Sequence, residues 1–310
     1  MSSIMTNASA MTALQSLSAT NKALEQTQAR ISTGYRVADA SDNAAYWSIA
    51  TTMRSDNQAN SVVQDALGLG AGKVDTAYTA MNSALDVVDK IKQKVLLAKA
   101  SSAEERAKIQ SEISTYVAQL RDSIGGASYA GSNLLQTTGA DGKVSIISAY
   151  NRDSSGAVST TTIDIKFTNI RLIDSAVTPP AAGTGILDTV TGNVSGVSIL
   201  NIDLNDLSGV TGADDAARFD NLLTDIEAGL GKMTNAAAEL GAAKARIDMQ
   251  KDFVSKLMDS IDKGVGQLVD ADMNKESTRL QALQVQQQLG IQSLSIANTN
   301  SQNILSLFKG

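Results

Sequence analysis

Apolar residues recur along much of this chain in alternating steps of three and four. The clearest run is Phe219, Leu223, Ile226, Leu230, Met233, Ala237, Leu240, Lys244, Ile247, Lys251, Val254, Met258, Ile261, Val265 and Leu268, apolar at thirteen of fifteen positions, with Lys244 and Lys251 the exceptions. Such a seam puts one apolar stripe on a long helix and predicts coiled-coil-like packing. At 1.5 Å per residue it makes a rod of roughly 75 Å. A second seam lies in the first third of the chain. Leu67, Val74, Met81, Val88 and Val95 recur every seven residues, with Gly70, Ala77, Ala84, Ile91 and Ala98 between them. Small residues between large ones let a partner helix come close, so the two seams are predicted to share one bundle. Its expected core is Val74, Met81, Val88, Ile91, Val95, Leu223, Ile226, Leu230, Leu240, Ile247, Val254 and Ile261. Ile109, Ile113, Tyr116 and Leu120 predict a third, shorter helix. Ser102 and Glu105 stand at capping-box spacing at its start, and Gly125-Gly126 ends it.

The pattern changes in residues 139–212, which are rich in Gly, Ser, Thr, Asp and β-branched residues. Ile163, Asp164, Ile165, Lys166 and Phe167 alternate as a half-buried strand does. Residues 144–149 read as a second strand, 151–156 as the turn between them, and 197–204 as a further strand. The fold class is therefore mainly α: a long helical bundle made by the N- and C-terminal segments, with a small β-rich central insert. The expected division is residues 1–43 with 270–310, 44–138 with 213–269, and 139–212 as an outer insert.

Both ends are unusual in having no charge. Residues 1–21 and 280–308 contain no Asp, Glu, Lys or Arg. Apolar residues still fall at helical spacing: Leu14, Leu17, Leu24 and Ile31 at one end, and Leu280, Leu283, Leu294, Ala297, Ile304 and Phe308 at the other. A solvated helix normally carries charge on its outer face. These helices are expected to avoid bulk water in the working state, covered by other subunits. Each Leu or Ile so covered contributes about 1.5–3 kcal/mol. Ordering the backbone costs about 1–2 kcal/mol per residue. The ends are thus near balance alone, weakly ordered in a lone subunit, and need neighbours.

Composition narrows the chemistry. Among 310 residues there is no His and no Cys, and the 26 basic against 32 acidic residues give a net charge of −6. Without His or Cys the usual proton shuttle, thiolate chemistry and the commonest metal ligands are missing. No enzyme activity, metal or cofactor is expected. A mildly acidic chain with 4% aromatics is a poor partner for nucleic acid. No stretch approaches the roughly 20 apolar residues that cross a bilayer. The N-terminal residues do not read as a cleaved signal peptide.

Several motifs invite sharper readings. The Gly68-Leu69-Gly70-Ala71-Gly72-Lys73 run has the wrong spacing for a phosphate loop, and Val74 stands where Ser or Thr is needed. It is expected to serve packing. Lys90, Lys92, Lys94 and Lys99 read as a solvated face beside Asp86 and Asp89. Asp203, Asp206, Asp214 and Asp215 read as turn or cap residues rather than catalytic pairs. Asn7 and Asn193 each begin a weak glycosylation sequon.

The run Ile31-Ser32-Thr33-Gly34-Tyr35-Arg36-Val37-Ala38-Asp39-Ala40-Ser41-Asp42-Asn43-Ala44-Ala45 resembles the N-terminal signature of bacterial flagellins, L-S-S-G-x-R-I-N-S-A-x-D-D-A-A. Ile49-Ala50-Thr51-Thr52-Met53-Arg54 continues the likeness. Gln302-Asn303-Ile304-Leu305-Ser306-Leu307-Phe308 resembles the family ending Q-N-V-L-S-L-L. The stretch from Asp42 to Ile49 is most similar to the rhizobial branch. The likeness covers about residues 1–140 and 215–310.

The resemblance implies a structural subunit that polymerises with itself, and with related flagellins, into an extracellular motility filament. Its termini would pair innermost, the long helices would form the next layer, and the insert would project outward. It further implies filament cap and junction proteins and an export chaperone as partners, with unfolded export and no signal cleavage. A chain without Cys and with 2 Pro avoids disulfides and slow isomerisation on such a route. Arg36 becomes a candidate subunit contact; read locally it is a weak surface ion pair with Asp39 or Asp42. Ala38, Asp39 and Asn43 depart from the signature and put the hydrogen bonding of that link in question. A hook–filament junction protein would share this terminal logic but be scarce in sheared filaments. A chemoreceptor-type rod would need membrane spans. A hydrolase would lose activity on a single Asp or Ser substitution.

Some flagellins carry Q-R-V-R-E-L-A-V, which an innate immune receptor reads. The corresponding stretch here is Asp89-Lys90-Ile91-Lys92-Gln93-Lys94-Val95-Leu96, which departs at Lys90, Gln93 and Lys94. Weak receptor activation is expected in a reporter-cell assay, and strong signalling would overturn this.

Overall fold

The computed structural model describes residues 7–177 and 183–307. It is mainly helical, with long helices from both ends of the sequence and a small strand-bearing centre. In chain order the elements are α1 (Ala8–Thr33), α2 (Ala44–Lys99), α3 (Ala103–Gly125), β1 (Ser128–Tyr129), β2 (Ser132–Asn133), β3 (Gln136–Thr137), β4 (Lys143–Arg152), β5 (Val158–Lys166), α4 (Phe167–Ile170), β6 (Ile173–Asp174), α5 (Asp215–Val269) and α6 (Met273–Leu307). They sort into two compact units. One contains the residues up to 57 and those from 259 on; the other is residues 58–258.

The division thus falls inside α2 and α5, and there are two units where composition suggested three parts. The reason lies in which apolar side chains share a core. Ile146, Ile163, Ile165, Ile170, Leu172, Leu187 and Ile199 from the central segment enter the same core as α2, α3 and α5. Ile261, expected in the long bundle, packs instead with Val37, Ala50, Val265 and Val269 in the first unit.

In the second unit Leu67, Val74, Met81, Val88, Ile91 and Val95 of α2 are fully buried. On α5, Phe219, Ile226, Met233, Leu240, Ile247 and Val254 are buried as well. Most of the alternate positions slip by one residue from the expected seam, while Ala237 keeps its buried place. Leu222, Gly229, Ala236 and Ala243 face inward, while Leu223 and Leu230 are half-buried and Lys244 reaches the surface. A large-residue seam looked better in sequence, but the smaller residues admit a close neighbour. A Cβ on Gly229 would lie 2.4 Å from Ile199 Cδ1.

Charge pairs mark the relation of α2 to α5. Lys244 pairs with Asp75, Lys92 with Glu227, and Lys99 with Asp220, so the two helices run antiparallel. Each of these residues directly follows a buried core position of its own helix, so the pairs form a ladder along one face. Such exposed pairs contribute little stability, about 0–1 kcal/mol each, but a shift of register would separate all of them. The α3 helix begins with the capping box: Glu105 N donates to Ser102 Oγ, and Ser102 N donates to Glu105 Oε2.

β1, β2, β3 and β6 are 2 residues each, whereas β4 and β5 run for 10 and 9 residues. β4 and β5 form an antiparallel hairpin with a bulge between Ile147 and Ala149, β1 pairs with β2, and β3 pairs in parallel with β6. Phe167 opens α4 rather than ending a strand. Residues 197–204 contain a 3-10 turn at Ile199–Asn201, not a strand. Consecutive Ile199 and Leu200 are both buried, unlike the alternating pattern of a half-buried strand. The Gln110 side chain binds the backbone there, donating to Ile202 O at 3.0 Å and accepting from Leu204 N at 3.0 Å. Nearby, the buried Arg171 is met by Thr137 Oγ1 and Thr184 Oγ1 at 2.7 Å each and by Asp141 O at 3.0 Å. The residues at Pro179 and Pro180 lie outside the described part.

Gly70 serves packing, but its neighbour is a strand rather than a helix: an added Cβ would sit 2.5 Å from Ile146 Cγ2. At Gly72 it would meet the Tyr129 ring at 2.6 Å. Gly70→Ala is expected to destabilise the second unit by about 1–3 kcal/mol through overpacking. Thermal unfolding followed by circular dichroism measures this, and an unchanged midpoint would show that the hairpin gives way freely.

Candidate assembly surface

The first unit pairs the two ends of the chain. Asn7 caps α1, its Oδ1 accepting from Ala10 N at 3.0 Å. Asp272 caps α6, accepting from Asn274 N at 3.0 Å and Lys275 N at 3.2 Å. Those amides, with Lys275 first, hold the Asp272 carboxyl below its ordinary range. Contacts between the helices step in opposite directions. Asn7 Nδ2 donates to Ala297 O at 3.0 Å, Gln287 Nε2 to Asn21 Oδ1 at 2.8 Å, and Arg30 pairs with Glu276 at 3.2 Å. The pair is therefore antiparallel. Gly290 admits Leu17, whose Cδ1 would be 3.2 Å from a Cβ placed there.

This pairing covers one side of each helix only. Among the described side chains of α1 and α6, Thr27, Glu276 and Leu283 are buried. Leu17, Leu24, Ile31, Leu280, Leu294 and Ala297 are half-buried, and Leu14 is 59% exposed. Met11, Val285, Leu289, Ile291 and Ile296 are exposed too. The spacing argument missed these five because they lie off the chosen stripes; the charge-free runs were the signal that contained them. Phe308 and the side chain of Ile304 lie outside the described residues.

Between α1 and α2 a short link is tied to the end of α5. Gly34 closes α1 at φ 75°, its N–H donating to Arg30 O at 2.8 Å. Arg36 N and Val37 N donate to Val269 O at 2.6 and 3.2 Å, and Ala271 N donates to Gly34 O at 2.8 Å. The Arg36 guanidinium does not pair with Asp39 or Asp42. Its Nη2 donates to Leu268 O at 2.9 Å, where a cation meets the negative end of the α5 dipole. Asp42 Oδ2 instead accepts from Ala38 N at 3.0 Å and Asp39 N at 3.3 Å. Asn43, in place of an acid, caps α2 by accepting from Tyr46 N at 3.1 Å. Asn does this as well as Asp. Arg54 lies over the Tyr35 ring, 4.8 Å from its centroid.

Other singled-out residues take structural places. Asp203 and Asp206 hold turns by accepting from Asn205 N and Ser208 N, both at 2.9 Å. Asp214 caps α5 through Ala217 N at 2.8 Å. Asn193 Nδ2 donates to Thr189 O at 3.1 Å and Val197 O at 2.6 Å. Among the described residues no helix is long and apolar enough to cross a membrane, and no cluster of acids is arranged to hold a metal ion.

The arrangement is one of surfaces rather than a reactive cleft, and known proteins agree. The family model for the bacterial flagellin N-terminal helical region matches residues 4–140, and that for the C-terminal helical region matches residues 223–308. The chain belongs to the bacterial flagellin family. A flagellin of Brucella melitensis is 51% identical over 310 residues, covering 100% of both chains. Flagellin C of Rhizobium meliloti is 48% identical over 323 residues, again with 100% of each covered. Flagellin A of that species is 43% identical over 399 aligned positions with 100% of both chains covered, so that relative carries residues this flagellin lacks.

In this flagellin Asp89, Lys90, Gln93 and Leu96 of the stretch from Asp89 to Leu96 are exposed, and the other residues are held by the fold. Ile91 and Val95 are buried, Lys92 pairs with Glu227, and Lys94 pairs with Glu112. These partners raise both lysine pKa values, chiefly through the side-chain hydrogen bonds. Gln93 Nε2 donates to Asp89 Oδ2 at 2.8 Å.

Gly34 combines a positive φ with open space around it, nothing lying within 4 Å of an added Cβ. Gly34→Ala is therefore expected to cost about 1 kcal/mol from backbone strain alone, and Gly34→Asn less. Chemical unfolding of the two variants checks the order; equal losses would point to a side-chain clash.

Proposed function

We propose that the terminal helices of this flagellin drive its polymerisation by completing their cover among copies of themselves. Flagellin is a structural subunit of the extracellular flagellar filament and not an enzyme. The observation that carries the reading is the mismatch on α1 and α6. Both are free of charge over long runs, yet their pairing leaves Met11, Leu14, Val285, Leu289, Ile291 and Ile296 open. Leu14, Leu17, Leu24, Ile31, Leu280, Leu283, Leu294, Ile304 and Phe308 are the assembly residues in this reading. Arg36 adds a subunit contact beside its bond to Leu268.

Copies of the chain and related flagellins are the polymerising partners. A filament cap, junction proteins and an export chaperone extend the reading. So does passage to the outside in an unfolded state without signal cleavage, which a chain lacking Cys tolerates.

Removing residues 1–33 and 273–310 is expected to leave a helical, soluble remainder that forms no filaments under conditions where the full chain does. Electron microscopy and light scattering read this out. Long tubes grown from the truncated chain would overturn the proposal, and normal filaments from Arg36→Ala would remove Arg36 from the contact.

A further inference from the structure

The turn just before β4 holds the chain's one Asp-Gly step, Asp141–Gly142, and there is no Asn-Gly step. Glycine has no side chain to keep its amide nitrogen away from the carboxyl of the residue before it. Both residues are exposed, and nothing lies within 4 Å of a Cβ built on Gly142. Gly142 O accepts from Phe167 N at 3.2 Å, but Gly142 N has no hydrogen-bond partner among the described residues. An amide already committed to an acceptor must give up that bond before it can react, and this one has none to give up. The Asp141 carboxyl is kept in the turn as well: its Oδ2 accepts from Thr138 N at 2.8 Å, and Asp141 N donates to Thr138 O at 3.0 Å.

The main-chain carbonyl of Asp141 has a different neighbour. It accepts from Arg171 Nη2 at 3.0 Å, and Arg171 is 2% exposed. The other bonds of that guanidinium go to Thr137 Oγ1 and Thr184 Oγ1, so a permanent buried charge is met by neutral oxygens and has no ion pair among the described residues. A buried charge without a counter-ion is costly. Any change that puts negative charge on the Asp141 carbonyl oxygen is therefore favoured here.

We infer that Asp141 and Gly142 form a modification site at which the main chain isomerises to isoaspartate, with Arg171 directing the outcome. Gly142 N attacks Asp141 Cγ. The new N–Cγ bond forms as a Cγ–O bond breaks, and one water leaves with the amide proton, giving a cyclic imide. One water then returns to either ring carbonyl carbon, breaks its bond to the nitrogen and gives the nitrogen back a proton. Attack at Cγ restores aspartate. Attack at the main-chain carbonyl carbon leaves isoaspartate, with the main chain running through Cβ and Cγ and the former main-chain carbonyl now a carboxylate. Arg171 donates to that carbonyl oxygen, draws electron density onto it and favours attack there. The carboxylate so formed lies beside the guanidinium as its missing counter-ion. The only co-reactant is water, and the inference is independent of how copies of the chain assemble.

The full-length chain held near neutral pH in heavy-oxygen water tests it, because each imide that opens fixes one heavy oxygen whichever carbonyl is attacked. Peptide mass spectrometry is expected to find label at Asp141 building up several-fold faster than at Asp153, which is also exposed in a turn and precedes Ser154. Equal labelling at the two positions would overturn the site. Gly142→Ala, which has open space for its methyl group, should keep the unfolding midpoint and suppress the label at Asp141. Unchanged labelling in that variant would exclude attack by the Gly142 nitrogen. Electron-transfer fragmentation separates aspartate from isoaspartate and reads the part played by Arg171. The share of isoaspartate among labelled products should be higher in the folded chain than in the same chain in concentrated urea, where Arg171 is no longer held on the carbonyl. An equal or lower share in the folded chain would remove Arg171 from the inference.

Discussion

Close approach at small residues is the constraint on which the second unit depends. Gly70 receives Ile146, Gly72 receives the Tyr129 ring, and Gly229 receives Ile199. Each glycine sits in a long helix, where it weakens the helix by about 1 kcal/mol relative to Ala. The helices keep them because the central segment gains its seat there. Ile146 and Ile199 are buried on helices that would otherwise present a side chain in their way. The hairpin and the loops after it are thus not an appendage on a finished bundle. They complete its core.

Charge separates the two units in kind. The second wears a ladder of Lys–Asp and Lys–Glu pairs along α2 and α5, as a helix pair facing water can. The first joins α1 and α6 mainly by amide hydrogen bonds and half-buried Leu and Ile, with Arg30–Glu276 as the described ion pair between them. Amide side chains can change partners at small cost, because their unmade bonds are not charged. A surface of Gln, Asn and exposed aliphatics suits contacts that form after the subunit has folded. The same side chains on a permanently solvated helix would be a liability.

The link from Gly34 to Asn43 shows how a short motif acts through the backbone. Gly34 turns the chain, Arg36 and Val37 bind the last carbonyls of α5, Asp42 gathers two amides, and Asn43 starts α2. The substitutions at Ala38 and Asp39 leave this intact because those residues contribute main-chain N–H groups, which any residue other than proline supplies. Sequence proximity alone would pair Arg36 with Asp39 or Asp42, and the structure instead seats it on Leu268 O. Asp39 and Asp42 are near in number, but the helix end it reaches is more than two hundred residues away, and no local pattern announces that.

By itself the sequence determined the long helices, the caps of α3, the α2 core stripe, the hairpin of β4 and β5, and the charge-free ends. All of these rest on periodicity or on contacts within a few residues, so local patterning suffices to specify them. The tertiary structure alone decided the one-residue slip of the α5 seam, the 3-10 turn at Ile199, the seating of the central segment in the helical core, and the place of Ile261. Each depends on which distant side chain arrives against a small residue, and that is a matter of packed volume in three dimensions, which spacing along a chain does not encode.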